Sequence, residues 1–145
     1  MSRSKIKKAL ELKGFTKDQL EISFQKSRDE LETESAKLDS AVRNFERTFA
    51  EFNRRHNEGP IHTQELDFFY TYLSYLNGQI EQQKQTVSSR LAEVEKIQKK
   101  LVNAYNEEKI FEIFYDKILH EEKRKTLKVE QKEADFQYIS RKSRQ

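Results

Sequence analysis

Apolar residues recur at heptad spacing along the second half of the chain. Counting from Leu66 in steps of seven, with a second position three residues later each time, gives 22 positions up to Ile139, of which 16 are apolar. Only 34% of the whole chain is apolar. A sustained repeat of this kind is typical of a helix that packs against another helix in a coiled coil. The pattern predicts one long helix over about residues 63–140.

The first part of the chain follows the same rule from about residue 24. Its repeating positions predict a first helix over about residues 2–56: Phe24, Leu31, Leu38, Phe45 and Phe52, with Arg28, Ser35, Val42, Phe49 and His56 on the partner positions. Turn-forming residues are concentrated between the two repeats, at 57–62, where Pro60 cannot continue a helix that began before it. The sequence therefore predicts a single all-α coiled-coil domain over residues 1–145, built from two long helices and one turn.

A short turn between two long helices favours an antiparallel hairpin. If the numbers of facing residues sum to roughly 118, apolar positions meet apolar positions. This register is set by four expected pairs: Phe49 with Phe69, Val42 with Leu76, Ser35 with Gln83, and Arg28 with Arg90. In the same register the last residues, roughly 25 of them, extend beyond the paired part. Thr63 is expected to cap the second helix.

The composition excludes several classes of protein. The chain has no cysteine, so disulfides, thiolate catalysis and cysteine-based zinc sites are all excluded. No apolar stretch is long enough to cross a membrane, and the basic segment at residues 1–10 lacks the apolar core of a secretory signal. We expect a soluble, intracellular protein without direct membrane insertion.

Charge is distributed unevenly. The net charge is +5 over residues 1–28, −6 over 29–116 and +4 over 117–145. Folding back brings both basic ends to the open end of the hairpin, where they either solubilise the helix ends or enter an acidic partner. Nucleic acid is not the expected partner, because the basic residues near the end alternate with acids such as Glu121, Glu130 and Glu133.

Two groups of apolar residues lie outside the heptad positions. Phe68, Tyr72 and Tyr75 form a stripe near the turn, which either packs locally or serves as a docking site. The second group, near the open end, is expected to receive Ile6, Ala9 and Leu10 of the first helix, or else a partner. Its members are Ile110, Ile113 and Phe114.

The sequence gives no support for catalysis. The three histidines, His56, His62 and His120, do not have the spacing of metal ligands. The glycines stand alone, so they do not form a phosphate-binding loop, and two paired helices offer no pocket to perturb carboxylates. We expect no enzymatic activity, no cofactor and no metal.

Three segments resemble the FliJ family of the bacterial flagellar type III export apparatus. They are Phe69–Gln83, with the sequence FYTYLSYLNGQIEQQ, Leu101–Lys109, with LVNAYNEEK, and Glu130–Phe136, with EQKEADF followed by basic residues. The chain length and the single turn near residue 60 agree with this family. The resemblance implies a two-helix antiparallel coiled coil similar to the gamma-subunit stalk of rotary ATP synthases.

The resemblance also implies partners. The end that carries both termini would enter the central hole of the export ATPase hexamer, promoting its assembly and activity. The body would bind the cytoplasmic domain of the export gate protein FlhA, and the protein would also escort export chaperones. It would then be a cytoplasmic protein held peripherally at the cytoplasmic face of the inner membrane, and a monomeric hairpin when free.

Carried over residue by residue, the resemblance points to two sets of contact positions. The set facing the ATPase ring is basic and lies near the termini: Lys5, Lys7, Lys8, Arg124, Lys128, Arg141 and Lys142. The set facing the export gate lies nearer the turn: Val42, Phe45, Phe49, Tyr72, Leu76, Gln79 and Gln83.

Two alternatives remain open on the sequence. One is the equivalent coiled-coil protein of a virulence injectisome. The other is a homodimeric structural coiled coil or adaptor with no ATPase partner. Polar residues late in the second repeat, namely Glu108, Glu122, Lys125 and Lys132, argue against a continuous dimer along the whole second helix.

Overall fold

The protein consists of two long helices. The computed structural model describes residues 2–144, in which α1 spans Arg3–Glu58 and α2 spans Thr63–Ser143. The described residues contain no strand. The prediction of an all-α fold built from two long helices is therefore confirmed. No helix formed by residues 2–144 is both long enough and apolar enough to cross a membrane.

The connection between the helices is short. Gly59 has a φ of +150°, a conformation that suits glycine, and Pro60 follows it directly. The carbonyl of His62 accepts the hydrogen bond from the Leu66 amide at 3.0 Å, so His62 and not Thr63 is the N-cap of α2. Across the connection, Arg55 Nη1 lies 2.6 Å from Glu65 Oε1, and Glu65 is the acidic residue in the first turn of α2.

The chain divides into two compact units, each with segments of both helices. One unit, which we call the loop unit, is Leu20–Lys100; the other, the terminal unit, contains the described residues 2–19 and 101–144. The helices run antiparallel in each. In the loop unit Arg90 pairs with Glu30, and in the terminal unit Arg3 pairs with Glu122.

The core of the loop unit is one layer thick and comes mainly from α2. Phe69, Leu76, Ile80 and Val94 are its buried apolar residues, and all four are at predicted heptad positions. Phe52 packs edge-on against Phe69, with ring centroids 5.4 Å apart. The predicted pairing of Phe69 with Phe49 is wrong, because Phe52 takes that place and Phe49, which is 47% exposed, stacks on Phe45 instead.

This difference has a simple origin. A heptad pattern fixes which face of a helix is buried, but the axial offset between two helices is set by where the chain turns back. Because α1 continues to Glu58 instead of ending near residue 56, the turn lies later in the chain than predicted. Next to the connection, Phe69 therefore lies opposite Phe52, three residues later on α1 than predicted.

Arg28 and Arg90, which the predicted register places opposite each other, each contact a different residue. Arg90 Nη1 lies 3.0 Å from Glu30 Oε2, and the Arg28 guanidinium lies over the ring of Phe24. The seam position is taken by Ser27, which is buried and donates its hydroxyl hydrogen bond to the Phe24 carbonyl at 2.9 Å. A small side chain here leaves an open polar groove lined by Ser23, Lys26, Ser27, Glu30, Ser89 and Arg90, among others.

The terminal unit combines a small apolar seam with ion pairs. Ile6 and Ala104 are buried. The seam acid Glu108 is matched by Lys17, whose Nζ lies 3.2 Å from its carboxylate and 5.2 Å above the ring of Tyr105. Lys13 pairs with Glu107 at 2.7 Å. Lysines of α1 therefore neutralise acids that the heptad pattern alone left without a partner.

The expectation that α1 would cover the second apolar group is wrong. Ile110, Ile113 and Phe114 remain at least half exposed. Ile6 instead lies buried in the seam between the helices, while Ala9 and Leu10 are half-buried. A single neighbouring helix covers only one face of α2, and this group is on another face.

Two glycines allow a matched test of the helix. No atom lies within 4 Å of the position that a Cβ on Gly78 would occupy inside α2. Gly78→Ala is therefore expected to raise the free energy of unfolding by about 0.5–1 kcal/mol, because alanine is the better helix former. Gly59→Ala is the control, since at φ +150° it is expected to lower that free energy by about 1–3 kcal/mol. Thermal unfolding followed by circular dichroism measures both, and a lower midpoint for Gly78→Ala would contradict the open helical environment.

Candidate partner-binding surfaces

The seven basic positions expected at the ATPase ring all lie in the terminal unit, and all are exposed: Lys5, Lys7, Lys8, Arg124, Lys128, Arg141 and Lys142. Ser2 caps the helix that carries the first three, because its hydroxyl accepts the Lys5 amide hydrogen bond at 3.3 Å. Arg141 and Lys142 lie in the last turn of α2, where positive charge is favoured by the helix dipole.

The last part of α2 is exposed on all sides. Arg3, the first residue of α1, lies 3.5 Å from Glu122, and every residue from 123 to 139 is exposed. Its apolar side chains are exposed as well, at Leu127, Val129, Phe136, Tyr138 and Ile139. This segment therefore presents both basic and apolar groups to a partner.

The aromatic stripe in the loop unit is a continuous stack. The rings of Phe68 and Tyr72 are 6.2 Å apart at 8°, and those of Tyr72 and Tyr75 are 6.5 Å apart at 23°. Phe68 is 66%, Tyr72 37% and Tyr75 58% exposed. The Tyr75 hydroxyl accepts a 2.7 Å hydrogen bond from the Gln79 amide, which extends the stripe by one turn. Stacked, exposed rings of this kind offer contact area at little cost in side-chain entropy.

The seven positions expected at the export gate differ in accessibility. Phe49, Tyr72 and Gln79 are exposed, and the ring of Phe49 stacks on that of Phe45 at 6.3 Å. Val42 and Phe45 are half-buried. Leu76 is only 4% exposed and belongs to the core. The structure thus places three of the seven on the surface of the loop unit.

Gln83, the seventh gate position, makes a polar contact between the helices. Its side-chain amide donates to Glu34 twice, at 2.6 Å to Oε2 and at 2.9 Å to the backbone carbonyl. The hydrogen bond from Gln83 is the main cause that holds the pKa of Glu34 below its ordinary value of 4.5, and Lys37 acts in the same direction. The heptad register predicted Ser35 opposite Gln83, and in the structure the side chain of Gln83 contacts the adjacent residue, Glu34.

Gln83→Glu is expected to reverse the pH dependence at this contact. In the natural protein the folded pKa of Glu34 is lowered, so its stabilising contribution is complete above the unfolded pKa and is lost as the pH falls through the folded value. In the variant two carboxylates meet, which raises their pKa, so stability increases as the solution is acidified from neutral pH. Urea unfolding at several pH values shows whether the free energy of unfolding rises or falls as the solution is acidified.

Gln82→Glu is the matched control, because Gln82 is exposed one residue earlier on the same helix. It adds the same charge away from the Glu34 contact, and we expect it to keep the pH dependence of the natural protein. If Gln83→Glu followed that same dependence, the contact between Gln83 and Glu34 would be wrong.

Residues 2–144 contain no cluster of three or more histidine, aspartate or glutamate side chains that could hold a metal ion. His56, next to the loop, stacks on the ring of Phe52 at 6.2 Å.

The sequence matches one protein family over nearly its whole length. The family is described as Flagellar FliJ protein, and the match covers residues 2–140. No curated protein and no solved structure matches the chain.

Proposed function

The chain belongs to the FliJ family and is thus a component of the flagellar export apparatus, and on that premise we propose that it is the stalk of the export ATPase. Its terminal unit enters the central hole of the ATPase hexamer and promotes hexamer assembly and ATP turnover. Its loop unit binds the cytoplasmic domain of the export gate protein FlhA. The protein then lies at the cytoplasmic face of the inner membrane through these contacts.

One observation carries the ring contact. Beyond the ion pair of Glu122 with Arg3, α2 continues to Ser143 with all of residues 123–139 exposed. Most of the stability of a protein helix comes from packing against other elements, which this exposed segment lacks, so an enclosing partner would supply that packing. Exposed basic groups at Arg124 and Lys128 suit an acidic or polar lining of that partner.

The coupling would be mechanical and allosteric. Two antiparallel helices have no cyclic symmetry, so they meet the identical subunits of a ring in different ways. Contacts that differ between subunits give those subunits different nucleotide affinities. Binding in the hole and binding at the ATP sites are thereby linked by a coupling free energy. The chain itself would carry out no chemistry.

The experiment combines the cognate export ATPase with the full chain or with a chain that ends at Glu122. This truncation retains the contact of Arg3 with Glu122 and removes the exposed end of α2. We expect the full chain to promote hexamers in sedimentation and to raise ATP turnover, and the truncated chain to do neither. Equal stimulation by both chains would contradict a ring contact at this end.

A charge variant provides a second test with a matched control. Arg124→Glu with Lys128→Glu should weaken stimulation, whereas Lys96→Glu with Lys99→Glu should leave it unchanged. All four side chains are exposed, and the last two lie in the loop unit. The two double variants change the net charge equally, so a difference between them reports position and not overall charge.

The gate contact is supported by the aromatic stripe. The stacked and exposed surface formed by Phe68, Tyr72 and Tyr75 belongs to the loop unit, whereas the basic set belongs to the terminal unit. Escort of export chaperones is a further proposal that rests on family membership alone. The family description is flagellar, which favours the flagellar apparatus over an injectisome.

A further inference from the structure

Two groups of apolar side chains in the terminal unit face away from the seam. On α1 they are Leu12 and Phe15, at 63% and 61% exposure, which we call the α1 patch. On α2 they are Ile110, Ile113 and Phe114, at 52–56% exposure, which we call the α2 patch. Large apolar groups left in water on both helices are a signature of contact with another molecule.

The two patches lie at the same level of the terminal unit. Lys13, which lies between Leu12 and Phe15 in sequence, reaches across to α2 with its Nζ 2.7 Å from Glu107 and 5.6 Å from the ring centre of Phe111. Phe111 is in turn flanked in sequence by the residues of the α2 patch. A cross-section through Lys13 and Phe111 therefore passes through both patches.

The patches also lie on opposite sides. Ile6 and Ala104 are buried and mark the seam on each helix. Phe15 follows Ile6 by nine residues, and Ile113 follows Ala104 by nine, which is two and a half helical turns in both cases. Phe15 and Ile113 are consequently on the faces of their helices directed away from the other helix, and the other members of each patch extend from there toward one flank.

Surface area argues against a second copy of the chain as the occupant. At these exposures each side chain offers on the order of 100 Å² of accessible surface, so a single patch offers about 200–300 Å². A stable interface between two proteins buries about 800 Å² per partner. A flat partner reaches only one patch, whereas a partner that surrounds the unit reaches both patches and the surface between them.

We propose that the central hole of the ATPase hexamer carries an apolar collar that encloses both patches at this level. The inference rests on the proposed ring contact and adds its chemistry. Several subunits contribute apolar side chains to the collar, so burial of apolar surface adds to the binding energy that the end of α2 supplies. The basic residues nearer the chain ends make the polar part of the same contact and speed the approach.

The test measures binding of the full chain to the assembled ATPase hexamer by sedimentation, at 0.1 M and 0.5 M salt. The α1 variant is Leu12→Gln with Phe15→Gln, and the α2 variant is Ile110→Gln with Phe114→Gln. Glutamine is a good helix former, so both are expected to fold, which circular dichroism verifies. Each should weaken binding about tenfold or more at both salt concentrations, and the two together about a hundredfold.

Two control variants accompany them. Tyr70→Gln with Leu91→Gln removes one aromatic and one aliphatic side chain that are also exposed, but in the loop unit, and should leave ring binding unchanged. Phe15→Leu with Phe114→Leu keeps the patches apolar and should bind nearly as well as the natural chain.

The outcomes separate the two proposals. If the natural chain binds the ring and the patch variants bind equally well, the collar is overturned while the ring contact stands. If only one of the two patch variants bound the ring more weakly than the natural chain, an enclosing collar would also be overturned. If the natural chain does not bind the ring at either salt concentration, the proposed function fails and the collar with it. A dimer of the free chain that the patch variants dissociate would assign the patches to a second copy and overturn the collar.

Discussion

Leu76→Ala is expected to lower the free energy of unfolding by about 3 kcal/mol. Leu76 is 4% exposed and lies between Phe69 and Ile80 in the single apolar layer of the loop unit. Truncating a buried leucine loses its transfer free energy and leaves a cavity, which together cost about 2–5 kcal/mol. Because the layer has no second shell of apolar residues behind it, other side chains cannot easily fill the space.

Urea unfolding measures this loss, and Leu91→Ala is the matched control. Leu91 is on the same helix but 46% exposed, so its truncation should change stability by about 0.5 kcal/mol or less. Equal effects at the two leucines would contradict the assignment of Leu76 to the core. Leu76 is also one of the seven positions expected at the export gate. Because it is buried, it could affect that partner only by changing the stability of the helices around it.

Phe68→Gln with Tyr72→Gln is expected to weaken binding to the cytoplasmic domain of FlhA by tenfold to a hundredfold. The two rings stack at 6.2 Å and are both exposed, so they can be removed with a loss of stability below about 1.5 kcal/mol. Exposed aromatic anchors of this kind commonly contribute 2 kcal/mol or more to an interface.

Tyr70→Gln is the control for this prediction. Tyr70 lies between the two rings in sequence and is exposed, but it is not part of the stacked stripe. Calorimetric titration of the FlhA domain with each variant gives the affinities. If the double variant bound the FlhA domain as tightly as the natural chain, or if Tyr70→Gln lost as much affinity as the double variant, the stripe would not be the gate contact.

The heptad pattern predicted which face of α2 is buried where α1 lies against it, whereas the heptad residues Val129, Phe136 and Ile139 near the end of α2 are exposed. Phe69, Leu76, Ile80, Val94 and Ala104 all lie at predicted positions and are buried. This succeeds because a period near 3.5 residues leaves one stripe of α2 for contact with a neighbouring helix. The number of helices was predictable as well, because turn-forming residues are concentrated in only one segment, at 57–62.

The axial offset between the helices could not be read from the repeat. A shift of one heptad or one turn keeps apolar residues facing apolar residues, so Phe49 and Phe52 were equally acceptable opposite Phe69. The position of the connection between α1 and α2 helps to set this offset, and in the structure Phe52 is the residue that packs against Phe69.

The candidate contact surfaces were less predictable than the fold. Sequence pattern identified the stripe of Phe68 and Tyr72 but not its exposure, which depends on how far the opposite helix reaches. It also gave no sign that Lys17 would neutralise Glu108, because long lysine side chains reach several positions across a seam.

The stoichiometry of the complex with the export ATPase tests the stalk most directly. We would assemble the hexamer with excess full chain and determine the mass of the purified complex by sedimentation equilibrium. One chain per hexamer is expected, because a ring has a single central axis and a chain that lies on that axis excludes a second one. One chain per ATPase subunit would place the contact on the outer surface of the ring and contradict the stalk.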